Sequence, residues 1–204
     1  IDGVWVSDDG TNWYNVSGIW SVTVPTGGGW EYAYNIDLAS TAASIAGDFY
    51  LMFGQSDNFP FGYLDGIAVD DIQVTTNQLP VPPPVPSNFT FINLPGSFTN
   101  VAGGFMEDFD TAAGVLSANM AVTEVDDATF LPSANASANI GQNGPFVITS
   151  NSPDYHLEMA SIASGTPNTI NALVLGLNGA GATNLNLSFP LYENADALGQ
   201  YDAV

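Results

Sequence analysis

The side chains in this chain that could do chemistry are almost all carboxylates. Its 204 residues include 21 Asp and Glu, one His, and no Lys, Arg or Cys. Without cationic side chains, a carboxylate must be solvated, hydrogen-bonded, or neutralised by a bound cation, because burying an unpaired charge is costly. The composition therefore makes a divalent cation the natural counter-charge, and it closes most catalytic repertoires.

The single histidine, His156, is flanked by Tyr155 and Glu158 on a predicted strand. A general-base role is disfavoured because the sequence offers no Ser–His–Asp set and no second metal-binding His. Paired carboxylates can hydrolyse glycosides, but no strand shows two acids in an aromatic-lined groove pattern. We predict that the chain is not an enzyme, and an acid-catalysed glycosidase is the third of three hypotheses.

Two loops carry polar residues that could bind a ligand. Asp8, Asp9 and Asn12 could form a cation loop, but Asp9-Gly10 is a strong hairpin-turn signal and a plain turn is favoured. The second loop combines polar groups with aromatic rings that could stack on sugars, although packing beneath the loop is the commoner outcome. Its candidate carbohydrate-binding residues are Asp57, Asn58, Phe59, Phe61 and Tyr63.

The charge balance also restricts the partners. A formal net charge of −21 repels phosphate backbones and anionic lipid surfaces, which are held by Lys and Arg. The chain has no apolar run near the ~18 residues that a membrane span needs. We therefore expect no nucleic-acid partner and no membrane insertion. Because the chain lacks trypsin-type cleavage sites, an extracellular or cell-surface location is expected.

Strand patterns dominate the chain. Polar and apolar residues alternate from Trp30 to Leu38, as in a half-buried strand, whereas Phe49 to Gly54 is apolar and predicts a central strand covered on both faces. In GIAVDDIQV the alternation restarts out of phase at Ile72, which predicts a bulge at Asp70 and Asp71. Many short strands separated by Gly, Asn and Asp turns predict an all-β antiparallel sandwich.

A proline-rich stretch divides the chain. QLPVPPPVPSN begins at Gln78, and its prolines favour an extended, semi-rigid conformation that cannot join a central ladder. We predict a linker over residues 78–97 between a first block, residues 1–77, and a second block, residues 98–204. Neither block looks like a complete domain.

The ends of the two blocks resemble parts of one known module. DGIAVDDIQV, from Asp65 to Val74, resembles the closing strands of extracellular jelly-roll modules of the MAM, laminin-G-like and Ca²⁺-binding carbohydrate-binding group. FMEDFDTAAG resembles their opening strand, with Phe109 and Asp110 at its aromatic-acidic pair. The resemblance implies that the first block is the C-terminal half of one jelly roll and the second block the N-terminal half of the next.

Two arrangements would complete such a sandwich. Neighbouring copies could exchange blocks head to tail and propagate a filament, or both blocks could fold back within one chain as a circular permutant. The exchange is favoured, because open sheet edges are prone to aggregate unless a neighbour completes them. The chain is then one period of a longer array.

The resemblance also implies a metal site. In Ca²⁺-binding jelly rolls an ion ties the acid of the opening strand to the Asp pair of the closing strand, which nominates Asp70, Asp71, Glu107, Asp108 and Asp110 as Ca²⁺ ligands. The alternative is that these acids are solvated strand ends. The first functional hypothesis is a structural subunit of an extracellular filament or surface layer. The second is a Ca²⁺-dependent carbohydrate-binding or adhesion module of a large surface protein.

Overall fold

The regular elements of the described chain are β-strands, which confirms the all-β prediction. The computed structural model describes residues 3–17, 30–38, 43–57, 66–76, 86–110, 115–126, 128–141, 155–161, 168–182 and 185–194. The strands are β1 (Gly3–Ser7), β2 (Asn12–Ser17), β3 (Trp30–Asp37), β4 (Asp48–Asp57), β5 (Gly66–Val69), β6 (Ile72–Thr76), β7 (Pro86–Asn88), β8 (Thr99–Asn100), β9 (Phe105–Glu107), β10 (Met120–Asp126), β11 (Ala136–Gly141), β12 (His156–Ser161), β13 (Thr169–Asn178) and β14 (Leu185–Asn194).

Sheet A is built around the predicted central strand. Its order is β10-β13-β4-β1-β2-β7, and β8 runs parallel to the end of β13. The longest ladder joins β4 to β13, from Thr169 opposite Asp57 to Asn178 opposite Asp48. Leu51, Met52 and Phe53 of β4 are fully buried although their side chains alternate between the two faces, so the prediction that this strand is covered on both faces is confirmed.

Sheet B is built around β14. One side of β14 pairs with β3, and the other side pairs first with β6 and then with β5. The free side of β5 pairs with β12, which is followed by β11, while the free side of β6 pairs with β9. Strands β5 and β6 thus form one line that is interrupted at Asp70 and Asp71, where the bulge was predicted.

The main core lies between the two sheets. Phe53 of sheet A meets Phe189 of sheet B edge to face, with ring centroids 5.0 Å apart. Around this pair, alternate residues of β4 and β13 pack against alternate residues of β5, β6, β12 and β14. Period-two alternation therefore decides which side chains enter the core, as expected for a sandwich of antiparallel sheets.

A second apolar cluster covers the outer face of sheet A. Residues 86–98, here called the strap, cross that face and bury Trp5 and Trp13 beneath Phe89 and Ile92. The strap begins as β7, which pairs with β2, and Asn93 fixes its middle to β10 by donating hydrogen bonds to Thr123 Oγ1 and Val122 O. Residues 86–97 of the predicted linker thus pack on the sheet.

Both blocks contribute to both sheets within this one chain. In sheet A the ladder between β4 and β13 joins the first block to the second. In sheet B, every pairing among the described strands except β11 with β12 joins a strand before residue 77 to one after residue 98. The described core of this chain is therefore made by residues of both blocks together.

Candidate functional site

The predicted metal ligands meet where three strand ends adjoin. Val69, the last residue of β5, lies opposite Leu157 of β12, and Ile72, the first residue of β6, lies opposite Glu107 of β9. Strands β9 and β12 therefore approach each other end to end beside the bulge. This place, here called the joint, brings the acids of the first block next to those of the second.

The bulge holds its two aspartates in different environments. Asp70 is fully buried, and its Oδ1 accepts a hydrogen bond of 2.8 Å from the Asp71 N–H, while its own N–H donates to Pro190 O at 3.3 Å. Asp71 is half-buried and has φ +44°, in the left-handed region that Asp tolerates better than most residues. The local strain is the consequence of inserting an extra residue into the strand.

The acids of the second block shape the turn that follows β9. Glu107 Oε1 accepts from the Phe109 N–H at 2.9 Å, and Asp108 Oδ1 accepts from the Asp110 N–H at 3.1 Å. These bonds hold Phe109 at φ +57° with its ring fully buried in the core. Asp110 Oδ1 accepts from the Tyr155 N–H at 2.8 Å, which ties the turn to the start of β12.

The electrostatics of the joint favour neutralisation. Burial raises the pKa of Glu107, and repulsion from Asp108 acts in the same direction, while the Phe109 N–H lowers it. The chain has no Lys or Arg to offset these charges. A proton or a cation at the joint would therefore stabilise the folded state.

The joint is not a ready-made metal cage. Among the described residues, no group of three or more His, Asp or Glu side chains is positioned to hold a metal ion. The backbone brings Asp70, Asp71, Glu107, Asp108 and Asp110 to one region, but Ca²⁺ needs roughly six to eight oxygen ligands close together. Ca²⁺ binding stays a prediction.

The acidic hairpin at Asp9 has the geometry of a tight turn. Asp9 Oδ1 accepts from the Thr11 and Asn12 N–H groups, both at 2.7 Å, and Oδ2 accepts from Asn12 Nδ2 at 2.6 Å. These bonds, chiefly the one from the Asn12 backbone, lower the pKa of Asp9 to about 2. Asp8 Oδ2 accepts from the Ser44 N–H at 2.9 Å, so both carboxylates fasten loops.

His156 is fully buried beside Glu158. Its Nε2 lies 2.7 Å from Glu158 Oε1, and the two residues share one face of β12 because they are two positions apart. Glu158 is 1% exposed, so the pair lies inside the fold, away from solvent.

Only the first residue of the predicted sugar-binding loop, Asp57, lies within the described residues. Asp57 is the last residue of β4 and lies opposite Thr169. Asn58, Phe59, Phe61 and Tyr63 lie outside the described residues.

Sequence reasoning missed an exposed aromatic stack. Phe130 lies parallel to Phe91 with ring centroids 4.6 Å apart and is 48% exposed. The available signal was two apolar residues, Phe130 and Leu131, in an otherwise polar stretch, and the alternating Phe89 and Phe91 after the prolines. Neither pattern shows that residues so far apart in sequence would stack.

The fold and the joint define this chain as an all-β protein of sandwich character whose core is shared by two blocks. The chain matches no protein-family model, no curated protein and no solved structure. Within the described residues, no helix is long and apolar enough to cross a membrane.

Proposed function

We propose that the chain is a structural subunit of an extracellular filament or surface layer, in which neighbouring copies complete each other's jelly-roll sandwich head to tail. One observation carries the proposal: both blocks contribute strands to both sheets and their strands alternate along β12-β5-β14-β6-β9 of sheet B, so neither block encloses a core by itself. A block that lacks its partner would leave a large apolar face and open strand edges in water, which drives pairing with any available copy.

Exchange between copies conserves the contacts that hold the sandwich together. The ladders β4–β13, β14–β5 and β6–β9 join the blocks, and the same pairs form whether both strands come from one chain or from two. Only the connection over residues 77–85 has to differ. Its four prolines favour an extended chain of about 3.1 Å per residue, which suits a bridge between neighbouring sandwiches.

The charge supports an assembly that depends on counter-ions. Two copies with net charge −21 repel each other, and physiological salt screens exposed charges over about 8 Å. Ca²⁺ at the joint would remove part of this repulsion where the blocks meet. No catalytic activity is part of the proposal, because the one His is buried beside Glu158.

Engineered disulfides can test the exchange, because the chain has no Cys of its own. Gln73 and Met106 lie directly opposite each other at the joint, on β6 and β9. We expect Gln73→Cys and Met106→Cys copies, refolded together and oxidised, to form a mixed disulfide dimer, because each Cys finds its partner only in the other copy. Gln73→Cys refolded with Val115→Cys is the matched control, since Val115 is exposed and does not pair with β6.

A different pattern of disulfides would contradict the exchange between copies. The double variant Gln73→Cys/Met106→Cys would form only an internal disulfide, and the two single variants would give no more mixed dimer than the control pair. That result would place the blocks permanently in one chain and contradict the proposal. Electron microscopy of wild-type protein in Ca²⁺ is the second measurement, with long periodic fibres expected and isolated particles contradicting it.

The second candidate function is a Ca²⁺-dependent carbohydrate-binding or adhesion module. It is favoured by the convergence of acids from both blocks at the joint. If Ca²⁺ binds there, chelation by EDTA lowers the thermal midpoint, whereas an unchanged midpoint removes the metal. Isolated particles that bind glycans would favour this function over the filament.

A further inference from the structure

A ladder of aromatic rings leads from the interior of the strap to the surface. Trp5, 9% exposed, meets Phe89 edge to face at 5.0 Å, and Phe89 contacts Phe91 at 5.9 Å. Phe91 then stacks on Phe130 at 4.6 Å with an angle of 13° between the ring planes. The inner face of Phe130 is thus supported by rings that are themselves packed on sheet A. Nearly half of its surface remains in contact with solvent.

The loop that carries Phe130 is held by hydrogen bonds of its own. The Phe130 N–H donates to Asp126 O at 2.8 Å, and the Asp126 N–H donates to Leu131 O at 2.9 Å. Asp126 Oδ1 accepts from the N–H groups of Ala128 and Thr129 at 3.1 and 2.9 Å. The ring is therefore fixed from two sides, by its stack and by its turn.

Phe130 adopts a conformation that a bulky side chain rarely takes. Its φ is +55°, where Gly and Asn are favoured and a large residue is an outlier. An exposed ring adds little to a core, so packing does not explain why Phe stands at this strained position. Strained residues that the surrounding structure holds in place are concentrated at ligand contacts.

We propose that the stacked pair Phe91 and Phe130 is a binding platform for the ring of a neutral sugar. A flat, rigid ring offers its face to the C–H face of a pyranose, with little conformational entropy lost on binding. The polar residues near the two rings in sequence are already engaged, Asn93 with β10 and the Thr129 hydroxyl with Asp126 Oδ1 at 2.9 Å, so the ring face itself makes the contact. Anionic glycans are repelled by a chain of net charge −21 without Lys or Arg, so the ligand is neutral.

This inference goes beyond the proposed filament, because a structural subunit that displays the platform would also attach to a glycan surface. A second copy is a poorer occupant than a sugar. It carries the same negative charge, and the loop of Phe130 includes Asp126, so two such surfaces would repel each other.

The test uses the full chain on an array of neutral and anionic oligosaccharides, followed by NMR titration with the neutral glycan that binds best. Phe130→Ala is expected to weaken binding about tenfold, the loss of one good stacking contact, and Phe130→Trp to restore it. Val115→Ala is the matched control, because Val115 is 68% exposed and is not part of the ladder.

Several results would overturn the platform. They are an array without any neutral ligand, an anionic glycan as the best ligand, or equal binding by wild type and Phe130→Ala. A Phe130→Ala protein that loses self-association while keeping glycan binding would assign the ring to contacts between copies instead. The disulfide exchange at Gln73 and Met106 does not involve the ladder, so the filament and the platform can fail separately.

Discussion

Replacing Gly176 by Ala tests whether the strap lies directly on sheet A. Gly176 is in β13, and a Cβ atom there would point to the outer face, toward the strap. It would collide with the backbone carbonyl oxygen of Ser97 and would lie 3.1 Å from Pro95 Cγ and 3.4 Å from Phe98 Cδ1. A carbonyl oxygen cannot rotate away as a side chain can, so the strap must lift from the sheet.

The expected loss of stability follows from two terms of opposite sign. Overpacking of this kind costs about 1–3 kcal/mol, and lifting the strap also weakens the contact between Phe98 and Tyr50, whose ring centroids are 5.3 Å apart. Ala in place of Gly restores about 0.4–1 kcal/mol by restricting the unfolded chain. From the middle of each range we expect a net destabilisation of about 1.3 kcal/mol.

Urea unfolding, followed by tryptophan fluorescence to which Trp5 and Trp13 beneath the strap contribute, measures this loss as a lower midpoint. Gly103→Ala is the matched control, because a Cβ at Gly103 meets nothing within 4 Å and its free energy of unfolding should stay equal or rise slightly. If Gly176→Ala unfolds at the same midpoint as Gly103→Ala, the strap does not lie against β13 and the description of this face is wrong.

For three further substitutions, the structure fixes the direction of the expected change in stability. Asp9→Asn is expected to destabilise the protein at pH 6, because the fold lowers the pKa of Asp9 from 3.8 to about 2 and so favours its charged form. Urea midpoints of the wild type and the variant should converge as the pH falls from 3.8 toward 2. Glu107→Gln should stabilise the Ca²⁺-free protein at pH 7, because burial raises the pKa of Glu107 above the ordinary value of 4.5 and so opposes its charged form. Thermal midpoints should show this gain in stability vanishing below pH 4.5, where Glu107 is protonated in both the folded and the unfolded chain. Phe130→Gly should be at least as stable as Phe130→Ala in urea, since Gly relieves the left-handed strain of about 1–2 kcal/mol; a clearly weaker Gly variant would refute that strain.

Local patterns in the sequence predicted the strands well where one rule decided the outcome. The apolar run from Phe49 to Gly54 became the centre of β4, because a strand covered on both faces has no need of alternation. The shift of phase at Asp70 and Asp71 marked the interruption between β5 and β6, because one extra residue moves every later side chain to the other face.

The strap could not be predicted from local pattern. Its prolines favour an extended chain, and a linker over residues 78–97 was the natural interpretation. Prolines at the edge of a sheet satisfy the same preference, however, and Pro86 pairs at the edge of β2. Which of the two occurs depends on whether an apolar surface is available for Phe89 and Ile92, and that surface is made by residues far away in sequence.

The candidate site, too, could be predicted from the sequence only in part. The predicted ligands of the two blocks lie at strands that pair, β9 with β6, while Ca²⁺ binding itself stays a prediction. The bond from the Tyr155 N–H to Asp110 could not be foreseen, because it depends on β12 beginning beside the turn after β9. The left-handed conformations of Phe109 and Phe130 also had no signal, since a large aromatic residue is among the last expected at positive φ.

The joint should respond to counter-ions more than any other part of the described sandwich. It combines a buried carboxylate at Asp70 with a Glu107 whose ionisation is opposed by burial, and it lacks any Lys or Arg. Added Ca²⁺ should therefore slow amide hydrogen exchange at Tyr155, whose N–H is bonded to Asp110, much more than at Leu173 in the long ladder of sheet A. NaCl of equal ionic strength is the control, because it screens charge without supplying a divalent ion. Equal slowing at both amides would show that Ca²⁺ acts on the whole fold, and the joint would then have no special role in holding the blocks together.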